Sequence, residues 1–188
     1  RAAPDSIANG AQTSVRMPFQ LLVVPRHPQR FAEVAQLFVD AGYSVSRRSQ
    51  WGEAPDTADV WVGDSLGEMA LYFGMAHVAL LGGSFAPLGG QNLIEAAACG
   101  VPVFMGPHLF NFTEASTLAA EAGAAQRCED IAHAVAEAAA TAGDAARLQG
   151  MQDAALGLGA AHRGAALKTA TEVAAVVRRG AITAPAGC

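Results

Sequence analysis

Short apolar runs alternate along the chain with longer stretches in which apolar residues recur every three or four positions. The run FQLLVV at 19–24 has strand length and stops at Pro25, the pattern of a buried parallel strand. Pro28 suits a first helical turn, and Phe31, Val34, Ala35 and Phe38 recur at i, i+3, i+4 and i+7 until Gly42, which predicts a helix with one core face. The same reading gives strands at 43–47, 59–63, 77–81 and 101–105 and a weaker one at 125–127. Helices are predicted at 65–75, 92–99 and 113–122, then in three alanine-rich stretches at 130–141, 144–156 and 165–178. Residues 51–58 read as a loop.

Strand and helix alternating at this spacing predict an α/β fold, a doubly wound, Rossmann-like parallel sheet with helices on both faces. In such sheets ligands bind beyond the carboxyl ends of the strands, which directs attention to the loops after Val24, Gly63, Leu81 and Met105. No internal repeat or heptad competes with this, and the alanine bias of the last third reads as compositional drift on helices.

The length of 188 residues suits one domain. It divides into an irregular polar segment at 1–18, a folded domain at 19–180 and a flexible tail at 181–188. No apolar run reaches the roughly 18–20 residues that span a bilayer, so the chain is expected to be soluble. A net charge of -5 without a basic cluster argues against a nucleic-acid surface. Cys99, Cys128 and Cys188 are widely spaced and form no CxxC pair, which predicts neither a disulfide framework nor a zinc site and fits a reducing cytoplasm. The chain begins with Arg1 and carries no signal segment, and it reads as a piece of a longer protein.

Four stretches carry candidate chemistry. In VPRHPQRF (24–31), Arg26 leaves the sheet where a ligand would sit, and its guanidinium matches a phosphate bidentately. His27 is a second donor there. The alternative is that Arg26 pairs with a surface carboxylate and the prolines only shape a turn. In GDSLGEMALYFG (63–74), Ser65 and Glu68 fit the S-x-x-E capping box, while Gly67 would let a base or sugar lie against the backbone.

In GGSFAPLGGQNLIEAAACG (82–100), two glycine pairs precede a helix opened by Asn92 and Glu95. Either these two side chains only finish the helix, or its amide end faces a phosphate while Glu95 accepts ribose hydroxyls. The stretch is neither a G-x-G-x-x-G fingerprint nor a Walker loop. In GPHLFNFTEAS (106–116), Asn111 or Thr113 is placed to cap the next helix, and His108 suits a structural hydrogen bond as well as acid–base work. His77, His133 and His162 are isolated, and no nucleophilic triad or metal-ligand cluster is present. No cofactor or metal is expected.

Taken in order and spacing, VPRHPQRF, GDSLGEM and ALLGGSFAPLGGQNLIEAAACGVPVFMGPHLFNF resemble the C-terminal half of the 3-deoxy-D-manno-octulosonic acid (Kdo) transferases, closely over 19–122. The resemblance implies a two-domain GT-B glycosyltransferase of the family 30 type. Such an enzyme moves Kdo from CMP-Kdo onto a lipid A precursor in lipopolysaccharide biosynthesis, and this chain would be its donor half. It further implies that the PRH, GEM and N-x-x-E segments contact CMP, which assigns Arg26, His27, Gly67, Glu68, Met69, Asn92, Leu93, Ile94 and Glu95 to the nucleotide. Gly83, Ser84, Gly90, Gln91 and His108 would border the cleft.

The acceptor site, the membrane-associating surface and the catalytic base would lie in an N-terminal domain. No catalytic residue is therefore expected in this chain, which alone would be soluble and inactive, while the full-length protein would work at the cytoplasmic face of the bacterial inner membrane. Gln91 stands where the family usually has histidine, and Ala96 where proline usually follows the glutamate. The strand and loop resembling S-T-x-x-G-E that usually precede this segment are not found in it. Two other readings stand beside this one, a GT-B domain acting on UDP-sugars, as transferase or epimerase, and a nucleotide-binding module without transfer chemistry.

Overall fold

In a computed structural model that describes residues 19–162 and 165–181, the chain divides into two compact units, Arg1–Glu68 and Met69–Cys188. The first is built on three parallel strands, β1 (Leu21–Val23), β2 (Val45–Arg47) and β3 (Val60–Val62), in the order β1-β3-β2. Between β1 and β2 lie a 3-10 turn at Pro28–Arg30 and helix α1 (Phe31–Asp40). Val60 and Val62 lie on one face of the central strand and are fully buried, packed with Ala35 of α1 and with Leu21, Val23, Phe38 and Val45. The predicted apolar face of α1 is therefore the one that docks.

Helix α1 ends as the sequence indicates. Gly42 adopts a positive φ of 87°, its amide donates to Val39 O at 2.9 Å, and the Tyr43 amide reaches Phe38 O at 3.0 Å. This double bond pattern is a Schellman stop. The rings of Phe38 and Tyr43 seal it edge to face, 6.4 Å apart. On the opposite face of β3, Trp61 meets Trp51 edge to face at 5.7 Å. The Trp51 indole donates to Ser46 Oγ at 2.8 Å, so the loop read at 51–58 starts with a ring that covers the sheet. Strand β1 is only half-buried, unlike the strand buried on both faces that its sequence predicts, because among the described strands β3 alone pairs with it.

The second unit has strands β4 (Ala79–Leu81), β5 (Val103–Met105) and β6 (Ala125–Arg127), also parallel, in the order β4-β5-β6. Its helices are α2 (Met69–Met75), α3 (Ile94–Ala98), α4 (Thr113–Glu121), α5 (Ile131–Gly143), α6 (Ala145–His162) and α7 (Ala165–Ala181). All three residues of β5 are buried. Val103 and Met105 enter a core with Leu93, Ala96, Ala97, Ala119, Ala155 and Leu158, whereas Phe104 points the other way into Cys128, Ala134 and Ala138. Helices thus cover both faces of this sheet, the arrangement expected for a fully apolar parallel strand.

The elements fall where the periodicity places them, with shorter strands and shifted ends. Helix α2 starts at Met69 rather than near residue 65, because Gly67 has a φ of 78° and holds the preceding turn out of helical geometry. The helix predicted at 92–99 is five residues long. Asp130 caps α5 by accepting the His133 amide at 2.8 Å. Asp144 accepts the Ala146 and Arg147 amides at 3.0 and 3.1 Å as α6 begins. Helix α6 runs on beyond its predicted end, α7 takes in Ala181, the first residue of the tail read at 181–188, and the segment read at 1–18 and the rest of that tail lie outside the described residues. Among the described residues Cys99 is an exposed and Cys128 a buried free thiol.

The alanine bias has a physical role beyond helix propensity. Ala96 and Ala97 of α3, Ala134 and Ala138 of α5 and Ala155 of α6 are buried, and their small size lets helices and strands approach closely. Gly159 of α6 is the extreme case, since a Cβ there would lie 2.7 Å from Ala98 Cα and 2.9 Å from Ala98 N. Replacing Gly159 by alanine should therefore destabilise the protein by about 1–3 kcal/mol despite alanine's better helix propensity. Gly157→Ala, at a position with nothing within 4 Å of the added carbon, should instead be neutral or stabilising by up to about 1 kcal/mol. Chemical denaturation of the two variants checks this pair of opposite signs.

Candidate functional site

In the first unit the loops after β1 and β3 leave the same end of the sheet, because these strands are parallel neighbours and the Gly63 amide donates to Val23 O at 2.9 Å. Arg26 and His27 stand exposed just past β1. Among the described residues no carboxylate pairs with Arg26, whereas Arg30 is held by Glu33 at 3.0 Å. Gly67 and Glu68 occupy the turn after β3.

Glu68 accepts from the Ser65 hydroxyl and from Arg48 Nη2, the latter at 2.7 Å. The S-x-x-E pair thus meets side chain to side chain in the turn ahead of α2. The bond from Ser65, followed by that from Arg48, holds the Glu68 carboxyl below the ordinary range.

Beneath this turn lies a group that the sequence reading missed. The Asp64 carboxylate is 1% exposed and accepts four bonds, from Arg47 Nε at 2.9 Å and Nη2 at 2.7 Å, from the Ser49 amide at 2.7 Å and from the Ser49 hydroxyl at 2.6 Å. Burial pushes its proton affinity up, but the two Ser49 bonds and the Arg47 charge together outweigh burial and leave the carboxyl below its ordinary range. Asp64 thereby fastens the 3-10 turn at Arg48–Gln50, which carries Arg48, to the end of β3. An aspartate directly after a buried strand, opposite a strand ending in Arg47 and Arg48, was the available signal.

In the second unit Met69 opens α2. Ser84, Gly83, Gly90, Gln91 and His108 come together where the loops after β4 and β5 pack on each other. Ser84 is fully buried, and its hydroxyl donates to Leu81 O at 2.5 Å and accepts the Gly106 amide at 2.7 Å. The His108 amide donates to Ser84 O at 2.9 Å, and the Gly90 amide to Gly83 O at 3.3 Å. The Gln91 side chain lies over Gly83. A Cβ on Gly90 would come within 2.9 Å of the Leu109 side chain, and one on Gly89 would strike Asn111 and Phe110. The room left by this glycine pair is filled by the chain's own 108–111 loop, so its first use is packing of loop on loop.

Asn92 and Glu95 sit exposed at the start of α3, with Leu93 buried and Ile94 partly buried behind them. Asn92 Oδ1 accepts the Ile94 amide at 3.1 Å, and its Nδ2 donates to Glu95 Oε1 at 3.2 Å. The pair does finish the helix. With five residues, α3 offers little macrodipole, so the side chains rather than the helix end carry any recognition there.

Next to this loop pair is a cavity of about 290 Å³ lined by the 107–110 loop, Thr113 and Ser116 of α4, and Arg127 at the end of β6. Of these residues only His108 was read from the sequence as bordering a cleft. Among the described residues no cluster of three His, Cys, Asp or Glu is placed to hold a metal ion, and no helix is long and apolar enough to cross a membrane.

Parallel strands in both units, with helices on both faces of the second unit's sheet and glycine-bearing loops at the strands' carboxyl ends, make this an α/β fold of the class to which GT-B C-terminal domains belong. The crystal structure of the C-terminal CMP-Kdo binding domain of WaaA from Acinetobacter baumannii matches with a TM-score of 0.68 and 29% identity, over 73% of this chain and 72% of that one. More particularly, the chain is homologous to the 3-deoxy-D-manno-octulosonic acid transferases. It is 50% identical to the Bordetella pertussis protein over 150 residues, 79% of this chain and 35% of that protein. It is 43% identical to the Haemophilus influenzae protein over 94 residues, 50% of this chain and 22% of that one. The chain thus spans about a third of the length of the first of these relatives and about a fifth of the second. No family model matches.

The Asp64 network has a pH signature. Its folded carboxyl is held below the ordinary value near 4, so its stabilisation is complete above that value and drains away as pH falls through the lowered one. Asp64→Asn should cost roughly 2–4 kcal/mol at pH 6 by leaving Arg47 and Ser49 poorly matched. That deficit should shrink toward pH 3, where the native carboxylate also starts to take up its proton. Thermal unfolding of both proteins from pH 6 to pH 3 checks the convergence.

Proposed function

We propose that the chain is the donor-binding part of a glycosyltransferase that moves Kdo from CMP-Kdo onto a lipid A precursor. The observation that carries this reading is the 50% identity to the Bordetella pertussis Kdo transferase over 150 residues. The likeness to a CMP-Kdo binding domain supports the donor assignment. So does the position of the PRH, GEM and N-x-x-E segments at or beyond the carboxyl ends of β1, β3 and β4, where open α/β sheets take their ligands.

In this reading Arg26, with His27 beside it, holds the phosphate of CMP. Transfer breaks the bond between the sugar's anomeric carbon and the phosphate oxygen, so negative charge grows on that phosphate as CMP departs. A guanidinium that pairs with no carboxylate among the described residues is suited to stabilise it. Gly67, Glu68 and Met69 flank the nucleotide. Asn92 caps α3 and fixes Glu95 through Oε1, which leaves Oε2 to accept a ribose hydroxyl. Leu93 and Ile94 hold that segment to its core.

The positive charge in this scheme comes from side chains, and the reaction is proposed to need no metal or cofactor. The catalytic base and the acceptor site belong to an N-terminal domain, with which the chain works at the cytoplasmic face of the bacterial inner membrane. By itself the chain is proposed to bind CMP without catalysing transfer.

Calorimetric titration with CMP tests the assignment. Arg26→Ala should weaken binding by about tenfold or more, in keeping with the loss of a charge-assisted contact to phosphate. Glu95→Gln should have a smaller effect, and UDP should bind more weakly than CMP. Unchanged CMP affinity in Arg26→Ala would overturn the phosphate role, and equal affinity for UDP would favour a UDP-sugar enzyme. Kdo transfer by the intact protein, undiminished by a chelator, would separate a metal-independent transferase from a binding module.

A further inference from the structure

Arg48 lies outside the three segments assigned to the nucleotide, yet it reaches one of them from 20 residues away in sequence. Its Nη2 donates to Glu68 Oε1 at 2.7 Å, while the Ser65 hydroxyl donates to Glu68 Oε2. Each carboxylate oxygen thus takes one bond from its own side, which fixes the plane of the group. Each oxygen also keeps room for a second donor.

Arg48 is itself held in place. The turn that carries it, Arg48–Gln50, is fastened to the buried Asp64 by the amide and hydroxyl of Ser49, at 2.7 and 2.6 Å. Its guanidinium lies 5.7 Å from the centre of the Trp51 ring, within range of a cation–π contact. Its Nε is buried and finds no hydrogen-bond partner among the described residues, a cost to stability. Arg30 and Arg47 avoid that cost, since each meets its carboxylate with both Nε and Nη2. The Arg48 and Glu68 side chains are 29% and 31% exposed, and a pair so open to solvent adds little to stability. What it determines is the direction in which Glu68 points.

We infer that Arg48 is a positioning residue of the nucleotide site, holding Glu68 so that its outer lone pairs meet a neutral hydrogen-bond donor of CMP. The inference rests on the donor reading above and adds to it a residue that acts without touching the ligand. A carboxylate only accepts and is repelled by phosphate, so its partner on the nucleotide is the cytosine amine or a ribose hydroxyl. The backbone beside it is open, since a Cβ on Gly67 would meet nothing within 4 Å.

Calorimetric titration of the full chain with CMP, UMP and the 2′- and 3′-deoxy forms of CMP tests the inference. Glu68→Ala should weaken CMP by about tenfold and Arg48→Met by about fivefold, in keeping with the loss of a charged hydrogen bond and of its alignment. The double variant should bind no more weakly than Glu68→Ala alone, because Arg48 acts through that carboxylate. Arg48→Lys should lose less than Arg48→Met. A preference for CMP over UMP that shrinks in Glu68→Ala assigns the contact to the amine, and a preference over a deoxy form that shrinks there assigns it to the ribose.

Losses that multiply in the double variant would overturn the inference, since Arg48 would then act independently of Glu68. So would unchanged CMP affinity in Arg48→Met, or a Glu68→Ala protein that keeps every preference of the unaltered one. Arg48→Lys, which keeps the charge on the turn, carries the same cycle if Arg48→Met fails to fold. CMP binding that is lost in Arg26→Ala but untouched in Arg48→Met leaves the nucleotide reading standing while this inference falls. A chain that binds none of the four compounds sinks both.

Discussion

The second unit is organised around one close approach, the seating of the Ser84 carbonyl and hydroxyl against the backbone of residues 106–108. Ser84 spends its hydroxyl twice, on Leu81 O and on the Gly106 amide, and its carbonyl takes the His108 amide. The contact exists because position 106 has no side chain. A Cβ there would lie 2.5 Å from Ser84 O and 2.6 Å from Phe85. With the two loops locked, the carboxyl ends of β4 and β5 share one surface, on which the Asn92 segment and the cavity beside Arg127 are both hung. The buried hydroxyl thus does locally what a strand hydrogen bond does in the sheet, at the point where the strands have ended.

The helical layer obeys the same constraint at larger scale. Alanine and glycine at the facing positions of α3 and α6 bring the two helices near enough for backbone to touch backbone, so this one contact depends on little side-chain volume. Such packing trades hydrophobic area for closeness, and added carbon is penalised sooner than removed carbon. At the far edge Arg147 compensates by pinning α6 to α5 and β6 through Glu137 at 2.7 Å and Gln126 at 2.8 Å. The Arg147 bond is the first reason that the Glu137 carboxyl sits below its ordinary range.

Much of this was legible because strand and helix periodicities are local. The end of α1 at Gly42 and the six described strands follow from spacing alone. The α/β class followed from the alternation of strand and helix, and the relationship to Kdo transferases from the ordered motifs. What was not legible is what depends on partners distant in the chain. Asp64 reads as a loop aspartate until β2 brings Arg47 and Ser49 to it, and Arg127 reads as a strand-end residue until α4 presents Ser116 and Thr117. The glycines before Asn92 were visible as a demand for space, but not that the 108–111 loop would be the occupant. Alanine-rich helices looked like drift because composition does not show which alanines touch.

The tryptophan pair gives the first unit a property of its own. The chain has two tryptophans, Trp51 and Trp61, and they stack edge to face on one side of β3. Intrinsic indole emission therefore reports on the first unit alone, whereas most of the helix that dominates the far-ultraviolet dichroism belongs to the second. The two signals followed together show whether the halves of this chain melt in one step or two, without any label being introduced.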